Sequence, residues 1–216
     1  MTSTLFWRQL QLGHSTVPAS HVHVGEYVRL VIDIQCQHAF MQQLFTQANG
    51  SDEREWQIWL ETNSASYRAG TTGFTTQLGS MIRHQGMLAH LSLRENLLLP
   101  FLYRGDQVLL EQAMDELEEV ASWLGLLAML DQQAGERTTY THALVSLGRC
   151  LLIKPPIIIA QEVYLGMPPD QLEHFSTLGM EAIEKLGSGL LYLTASANEG
   201  SGLDFSRTLT ADVKAA

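Results

Sequence analysis

Two short runs without a polar interruption, Ile157-Ile158-Ile159-Ala160 and Leu190-Leu191-Tyr192-Leu193, bracket a stretch of helical spacing from Asp170 to Leu186. A strand that is apolar at successive positions hides both faces, which is the situation of a parallel sheet covered by helices. The helix read over Thr141 to Ile153 is stopped by Pro155-Pro156, and the one from Asp170 begins after a Pro-Pro pair and ends at Gly187. Strand, helix, strand in that order is the βαβ unit, with a right-handed crossover expected. The C-terminal half is therefore α/β.

Upstream, Tyr27 to Ile34 (YVRLVIDI) reads as a buried strand entered through a turn at Gly25-Glu26, and Ala39 to Ala48 as a helix. Asn49 to Gly79 is polar and rich in Gly, Ser and Thr, with a strand candidate at Trp56 to Leu60. Val108, Leu110, Met114, Leu117, Val120 and Leu124 recur at helical spacing before Gly125. Met114, Leu117 and Trp123 are expected to be core, and Asp115 to Glu119 a solvated face. No internal repeat or low-complexity segment is present.

A chain of 216 residues with 45% hydrophobic residues fits a single domain, 1–216. Thirteen Lys+Arg against twenty-three Asp+Glu give a formal charge of −10, a balance that repels nucleic-acid phosphates and anionic lipid. No nucleic-acid partner is expected. Cys36 and Cys150 form no C-x-x-C pattern, which suits a reducing compartment. The start, MTSTLFWRQLQLGHSTVP, lacks the basic opening and apolar run of a signal peptide, so a cytoplasmic location is expected. Leu97 to Tyr103 and Ala143 to Ala160 are too short or too interrupted to span a bilayer, leaving a peripheral membrane role.

Several phrases share one register with a known family. LAHLSLRENLLLPFLYRG (Leu88 to Gly105) followed by the acidic helix and WLGL (Trp123 to Leu126) resembles the helical subdomain of ATP-binding-cassette (ABC) ATPases. VGEYVRLV resembles the strand before that family's phosphate loop, SLGRCLLIKPPIIIAQE the run into its Walker B strand, and LLYLTAS the strand before its switch histidine. The likeness covers about Val24 to Ser196. ENLLLP and the short length look most like the lipoprotein-release, macrolide-export and cell-division subunits. The resemblance implies a P-loop NTPase-like ABC fold: a mostly parallel core sheet, an N-terminal antiparallel β subdomain and an inserted α-helical subdomain. It places the core and β subdomain at about 1–82 and 142–216 and the helical subdomain at 83–141.

On that register the nucleotide motifs are overwritten. A Walker A loop uses glycines to aim backbone N–H groups at phosphate, a Lys for charge and a hydroxyl for magnesium. Here the glycine positions hold Ile32, Gln35 and Gln37, the Lys position His38, and the hydroxyl positions Ala39 and Phe40, while Asp33 puts a negative charge where phosphate would lie. Forcing side-chain-bearing residues into left-handed backbone costs roughly 1–2 kcal/mol each, and a lost charge-assisted hydrogen bond roughly 1.5–3 kcal/mol. A sum above about 5 kcal/mol weakens binding by three to four powers of ten. The nucleotide-sensing Gln aligns with Arg83, the signature with Arg137-Thr138-Thr139-Tyr140-Thr141, the Walker B Asp with Gln161, and the switch His with Ala195. The loop that normally ends S/N-x-L-D reads Leu165-Gly166-Met167-Pro168.

Glu162 alone survives at the position of the general base, either as a residual polar group at a strand end or in a repurposed role. No catalytic residue and no cofactor are expected. ATP and magnesium enter only under an alternative in which His38 or Arg83 replaces the lost Lys and Glu162 serves as base. The resemblance places Arg83 to Leu99 against the permease in this family. Arg83, His84, Leu88, Leu91, Glu95 and Asn96 are thus docking candidates, unless they persist because they pack the subdomain. The expected partner is a membrane permease, another ABC ATPase or both, with a homodimer open; a free-standing scaffold is the other reading. Eight histidines, His21 and His23 on one strand face among them, suggest metal, yet no Cys or carboxylate stands near them at motif spacing, so no metal site is expected. Cys36, Ser146 and Cys150 are read as packing residues.

Overall fold

The structure, a computed structural model, describes residues 2–46, 56–82, 87–135, 137–199 and 203–213. The chain divides into two compact units. One comprises Met1–Leu78, Pro155–Gln161 and Gly187–Ala216, the other Gly79–Lys154 and Glu162–Leu186.

The first unit is built on strands. β1 (Thr4–Trp7), β2 (Leu10–Leu12), β3 (Ser15–Val17), β4 (Ser20–His23) and β5 (Tyr27–Val31) precede helix α1 (Ile34–Phe45). β6 (Ile58–Glu61), β7 (Ser66–Arg68) and the single turn α2 (Thr72–Thr75) follow, and β8 (Leu78–Ile82) starts at this unit's Leu78 with its other residues counted in the second unit. After the second unit's helices intervene, the chain returns as β9 (Ile157–Gln161), β10 (Gly189–Thr194), β11 (Arg207–Thr210) and β12 (Asp212–Val213). Within the first unit the main sheet runs β11-β5-β10-β9, and the β11–β5, β5–β10 and β10–β9 pairings are parallel. An antiparallel sheet runs β4-β1-β6-β7, and a small one β12-β3-β2. The expected α/β class with an antiparallel β portion is the one observed.

The burial pattern explains the split between sheets. Every residue of β9 and β10 is buried, as their unbroken apolar runs require. β1 and β6 instead alternate, sending Leu5, Trp7, Ile58 and Leu60 inward. Trp7 meets Phe40 of α1 edge-on at 6.0 Å between ring centroids, and its indole N–H donates to the Pro18 carbonyl at 2.9 Å.

The second unit holds α3 (Leu93–Arg104), α4 (Gln107–Trp123), α5 (Thr139–Ile153) and α6 (Pro169–Leu186). Three of these helices start on side-chain caps. Ser92 and Glu95 form a capping box on α3, Asp106 caps α4, and Thr138 caps α5. α4 buries Ala113, Leu117 and Ala121, a stripe at intervals of four. That stripe corrects the expected core: Leu117 is buried, but Met114 is 55% and Trp123 39% exposed. The inward stripe is two alanines about one leucine, and larger apolar residues of α4 stay at the surface. Among the described residues no helix is long and apolar enough to cross a membrane.

The βαβ reading holds in element order, with β9, α6 and β10 within a residue or two of the expected ends. α5 starts at Thr139, two residues before the expected Thr141, because Thr138 supplies the cap. Gly189 opens β10 where a Cβ would lie 2.2 Å from the His23 carbonyl oxygen and 2.9 Å from Ile157 Cδ1. Backbone cannot swing away as a flexible side chain could. Gly189→Ala is expected to cost about 2–3 kcal/mol, read as a lowered urea midpoint with an unchanged slope.

Candidate functional site

The carboxyl ends of β5, β10 and β9 lie side by side, the edge at which parallel α/β sheets bind ligands. The Ile32 N–H bonds to the Thr194 carbonyl at 2.9 Å, and Leu193 is paired with Gln161. The first unit thus brings together the phosphate-loop positions, Gln161 and Ala195.

Among the described residues, β5 passes into a helix within three residues there. β5 ends at Val31, short of the expected Ile34, and α1 begins at Ile34 where Ala39 was expected. The cause is Asp33. Its side chain accepts hydrogen bonds from the Gln35 N–H at 3.0 Å and the Cys36 N–H at 3.1 Å, and its carbonyl takes the Gln37 N–H at 2.9 Å. Three N–H groups at a position where the family's loop would grip phosphate are bound by one residue of the chain itself. The Cys36 thiol, the Cys36 and Gln35 N–H groups and the Ser15 hydroxyl hold the Asp33 carboxyl below its ordinary range, against the opposing effect of burial. Asp33 Oδ2 accepts from Ser15 Oγ at 3.2 Å and lies 3.4 Å from His14 Nε2.

The other phosphate-loop positions follow from the early helix. His38, at the Lys position, lies in the second turn of α1 and is exposed; Ala39 is half-buried; Phe40 is fully buried. Gln37 is fully buried and donates from Nε2 to the Ile32 carbonyl at 3.0 Å, while its Oε1 finds no partner among the described residues. Gln161 is buried with its Nε2 likewise unpartnered. Each such group carries a desolvation cost of about 1–3 kcal/mol. Ala195 stands exposed in the bend after β10. Beside it, the Glu199 carboxylate accepts from Thr194 Oγ1 at 2.5 Å and from the Tyr192 hydroxyl at 3.0 Å.

The remaining positions belong to the second unit. Glu162 is almost buried, has a left-handed backbone (φ 50°), and its carbonyl accepts from the Leu165 N–H at 3.2 Å. At the signature position, Thr138 caps α5 through the Thr141 N–H. Arg137 there donates to the carbonyls of Ala134 and Gln133, each at 2.9 Å.

Of the docking candidates, Arg83 and His84 lie outside the described residues. Leu88 is exposed and Leu91 half-buried. Glu95 and Asn96 are engaged in local structure. The Glu95 carboxylate accepts from the Ser92 N–H and hydroxyl, both at 2.8 Å. Asn96, fully buried, clamps the preceding loop, accepting from the Leu88 N–H at 2.8 Å and donating to the carbonyls of Leu88 and Ser92 at 3.0 and 2.9 Å. Pro100 has no N–H for the Asn96 carbonyl four residues earlier. The Arg149 guanidinium from α5 supplies the missing donor at 2.8 Å, and its burial pushes it down to about 10. Much of the E-N-x-x-x-P phrase is therefore accounted for by the stability of α3.

Two groups of three ligand-type side chains also assemble in the first unit: His14, Asp33 and Cys36, and His21, His23 and Glu26. Sequence spacing hid both. His14 comes from the β2–β3 turn and Asp33 from the start of α1, and Glu26 follows the two histidines by way of a turn. The His21 and His23 rings do share a face, 4.5 Å apart. Burial, Arg207 and His23 lower the His21 pKa. Burial would raise the Glu26 carboxyl, but hydrogen bonds from Arg207 and the His23 N–H outweigh it and hold it low.

Two consequences are testable by equilibrium unfolding. Asp33→Ala is expected to cost about 1 kcal/mol and Asp33→Asn a few tenths, since Asn also caps helices. The Asp33 pKa falls on folding. Its ionised form therefore stabilises the fold above the ordinary carboxylate range, and the penalty in Asp33→Ala shrinks as pH falls through the depressed value. Second, Arg149→Met is expected to be destabilising, and less so in a Pro100→Ala background, where the backbone N–H restored by that substitution can serve the Asn96 carbonyl. The coupling should be about 1–2 kcal/mol.

No protein-family model matches the chain. It is 23% identical over 158 residues to the thiamine import ATP-binding protein ThiQ of Histophilus somni (strain 129Pt), an alignment covering 73% of this chain and 71% of that protein. Among solved structures it is similar to the ADP conformation of MJ1267, an ATP-binding cassette of an ABC transporter. The TM-score is 0.65 at 15% identity, with 89% of this chain and 81% of the other covered. It is also similar to an ATP-binding subunit of an ABC transporter, with a TM-score of 0.66 at 18% identity over 88% and 78% of the two chains. At these identities the solved structures speak for the fold, and the sequence relative and the shared register of phrases speak for kinship. The chain has the fold of the ATP-binding subunits of ABC transporters and is similar in sequence to one of them.

Proposed function

We propose that this chain is a non-hydrolysing ABC-type subunit that serves a membrane permease, another ABC ATPase or both as a structural or regulatory partner, peripheral to the inner face of the cell membrane. The reading takes 1–216 as one ABC-type domain with its helical subdomain at 83–141. The observation that supports it is the Asp33 cap. A nucleotide bound in the family's manner would have to expel this carboxylate, unwind the first turn of α1 and set its phosphates beside a negative charge. His38 cannot replace the lost Lys without that unwinding, because it projects from the second turn of a formed helix.

The dimer logic of the family extends the reading. Each composite site takes its phosphate loop from one subunit and its signature from the other. With both overwritten, this chain would disable both sites when paired with a competent subunit, so its contribution is structural or regulatory. ThiQ is named for import, so it lends no support to the likeness with release and export subunits.

Calorimetric titration with Mg-ATP is expected to show no saturation below millimolar concentration, given a deficit of roughly 5 kcal/mol. A micromolar dissociation constant would overturn the reading. Hydrolysis lost in Glu162→Gln would then identify a residual ATPase with Glu162 as base. Recovery of a permease with the tagged chain from solubilised membranes is the expected result for the partner reading, and recovery of none would favour a free-standing scaffold.

A further inference from the structure

The strand–helix junction that excludes phosphate gathers an imidazole, a carboxylate and a thiol. We propose that His14 Nε2, Asp33 Oδ2 and Cys36 Sγ form a binding site for a divalent transition-metal cation of the zinc class. The three ligand atoms lie within 4.8 Å of one another, and His14 Nε2 and Asp33 Oδ2 are 3.4 Å apart. Tetrahedral zinc with bonds of about 2.1 Å separates nitrogen and oxygen ligands by about 3.4 Å, so this edge of the site is already at its bound length. A sulfur ligand at about 2.3 Å needs a separation of about 3.6 Å from the other two, within reach of a rotation at Cys36.

The surroundings hold the donors in place. The Asp33 carboxylate is fixed on both oxygens: Oδ1 accepts the Gln35 and Cys36 N–H groups, and Oδ2 accepts the Ser15 hydroxyl. Such outer contacts orient a ligating carboxylate, and they leave Oδ2 with a free lone pair. Cys36 is buried on the first turn of α1, and its thiol, which also faces the Asp33 carboxylate, reaches the Leu12 carbonyl at 3.0 Å. Binding the cation replaces that S–H···O bond with a metal–sulfur bond and releases the thiol proton to solvent. Two negative ligands then balance the cation's two positive charges. His14 is exposed, so solvent can supply a water as the fourth ligand.

The second cluster is the weaker competitor. Glu26 is already paired with Arg207 at 2.8 Å, and the same guanidinium donates to the His21 carbonyl at 2.6 Å. A cation there would sit beside a fixed positive charge. Asp33 has no Lys or Arg partner among the described residues.

Cobalt(II) is the probe, added to the full chain after chelator treatment, because a thiolate ligand gives a near-ultraviolet charge-transfer band that nitrogen and oxygen ligands do not. The expected result is a band that saturates at one cobalt per chain, is displaced by zinc, and is absent in Cys36→Ser. His14→Ala and Asp33→Asn should each weaken cobalt binding by roughly tenfold or more, with unchanged far-ultraviolet circular dichroism. Asp33→Asn keeps the helix cap and so isolates the loss of the carboxylate. No band in the wild type, a band that persists in Cys36→Ser, or a band lost in His21→Ala/His23→Ala while His14→Ala retains it would overturn the assignment. The result does not depend on whether the chain binds nucleotide.

Discussion

Asp33 stands where β5 gives way to α1, and its carboxylate governs the local structure of the first unit's sheet edge. A helix start leaves several N–H groups without partners inside the helix, and an outside acceptor must serve them. In this family's fold that acceptor would be phosphate. Here it is a side chain two and three residues upstream of the donors, within the same chain. The rest of the edge accords with that choice. Because the helix winds from Ile34, Gln37 turns inward, Phe40 packs in the core, and His38 is carried to the surface. The N–H groups of the first turn are thus satisfied from within the chain.

The second unit is governed by a different constraint. Pro100 inside α3 leaves a carbonyl unserved, and Arg149 answers it from α5 at the expense of burying a guanidinium. Asn96 presents its backbone carbonyl to Arg149 and its side chain to the loop at Leu88 to Ser92. Together with the capping box of Ser92 and Glu95, this makes the phrase a folding device for α3. The phrase is thereby intelligible on stability grounds alone.

The buried amides of Gln37 and Gln161 lie in the first unit, one lacking a donor and the other an acceptor. Both occupy positions that in the family serve phosphate or metal. A buried polar group without a partner is costly.

The sequence by itself determined the parallel core, because strands without a polar position can be buried only on both faces, and β9, α6 and β10 fell at the expected ends. It also carried a register of phrases shared with ABC ATPases, which is a matter of residue identity at fixed spacing. Other features were settled only by tertiary structure. Whether Asp33 merely repels phosphate or replaces it depends on where the helix starts, and a cap bond of 3.0 Å is not visible in spacing alone. Met114 and Trp123 fit a helical apolar pattern, yet which stripe of α4 turns inward was set by the neighbours it packs against, and those favoured Ala113, Leu117 and Ala121. The joining of His14 to Asp33 and Cys36 was likewise beyond linear reading. Those residues come from a turn and a helix start that only the folded first unit brings within bonding range.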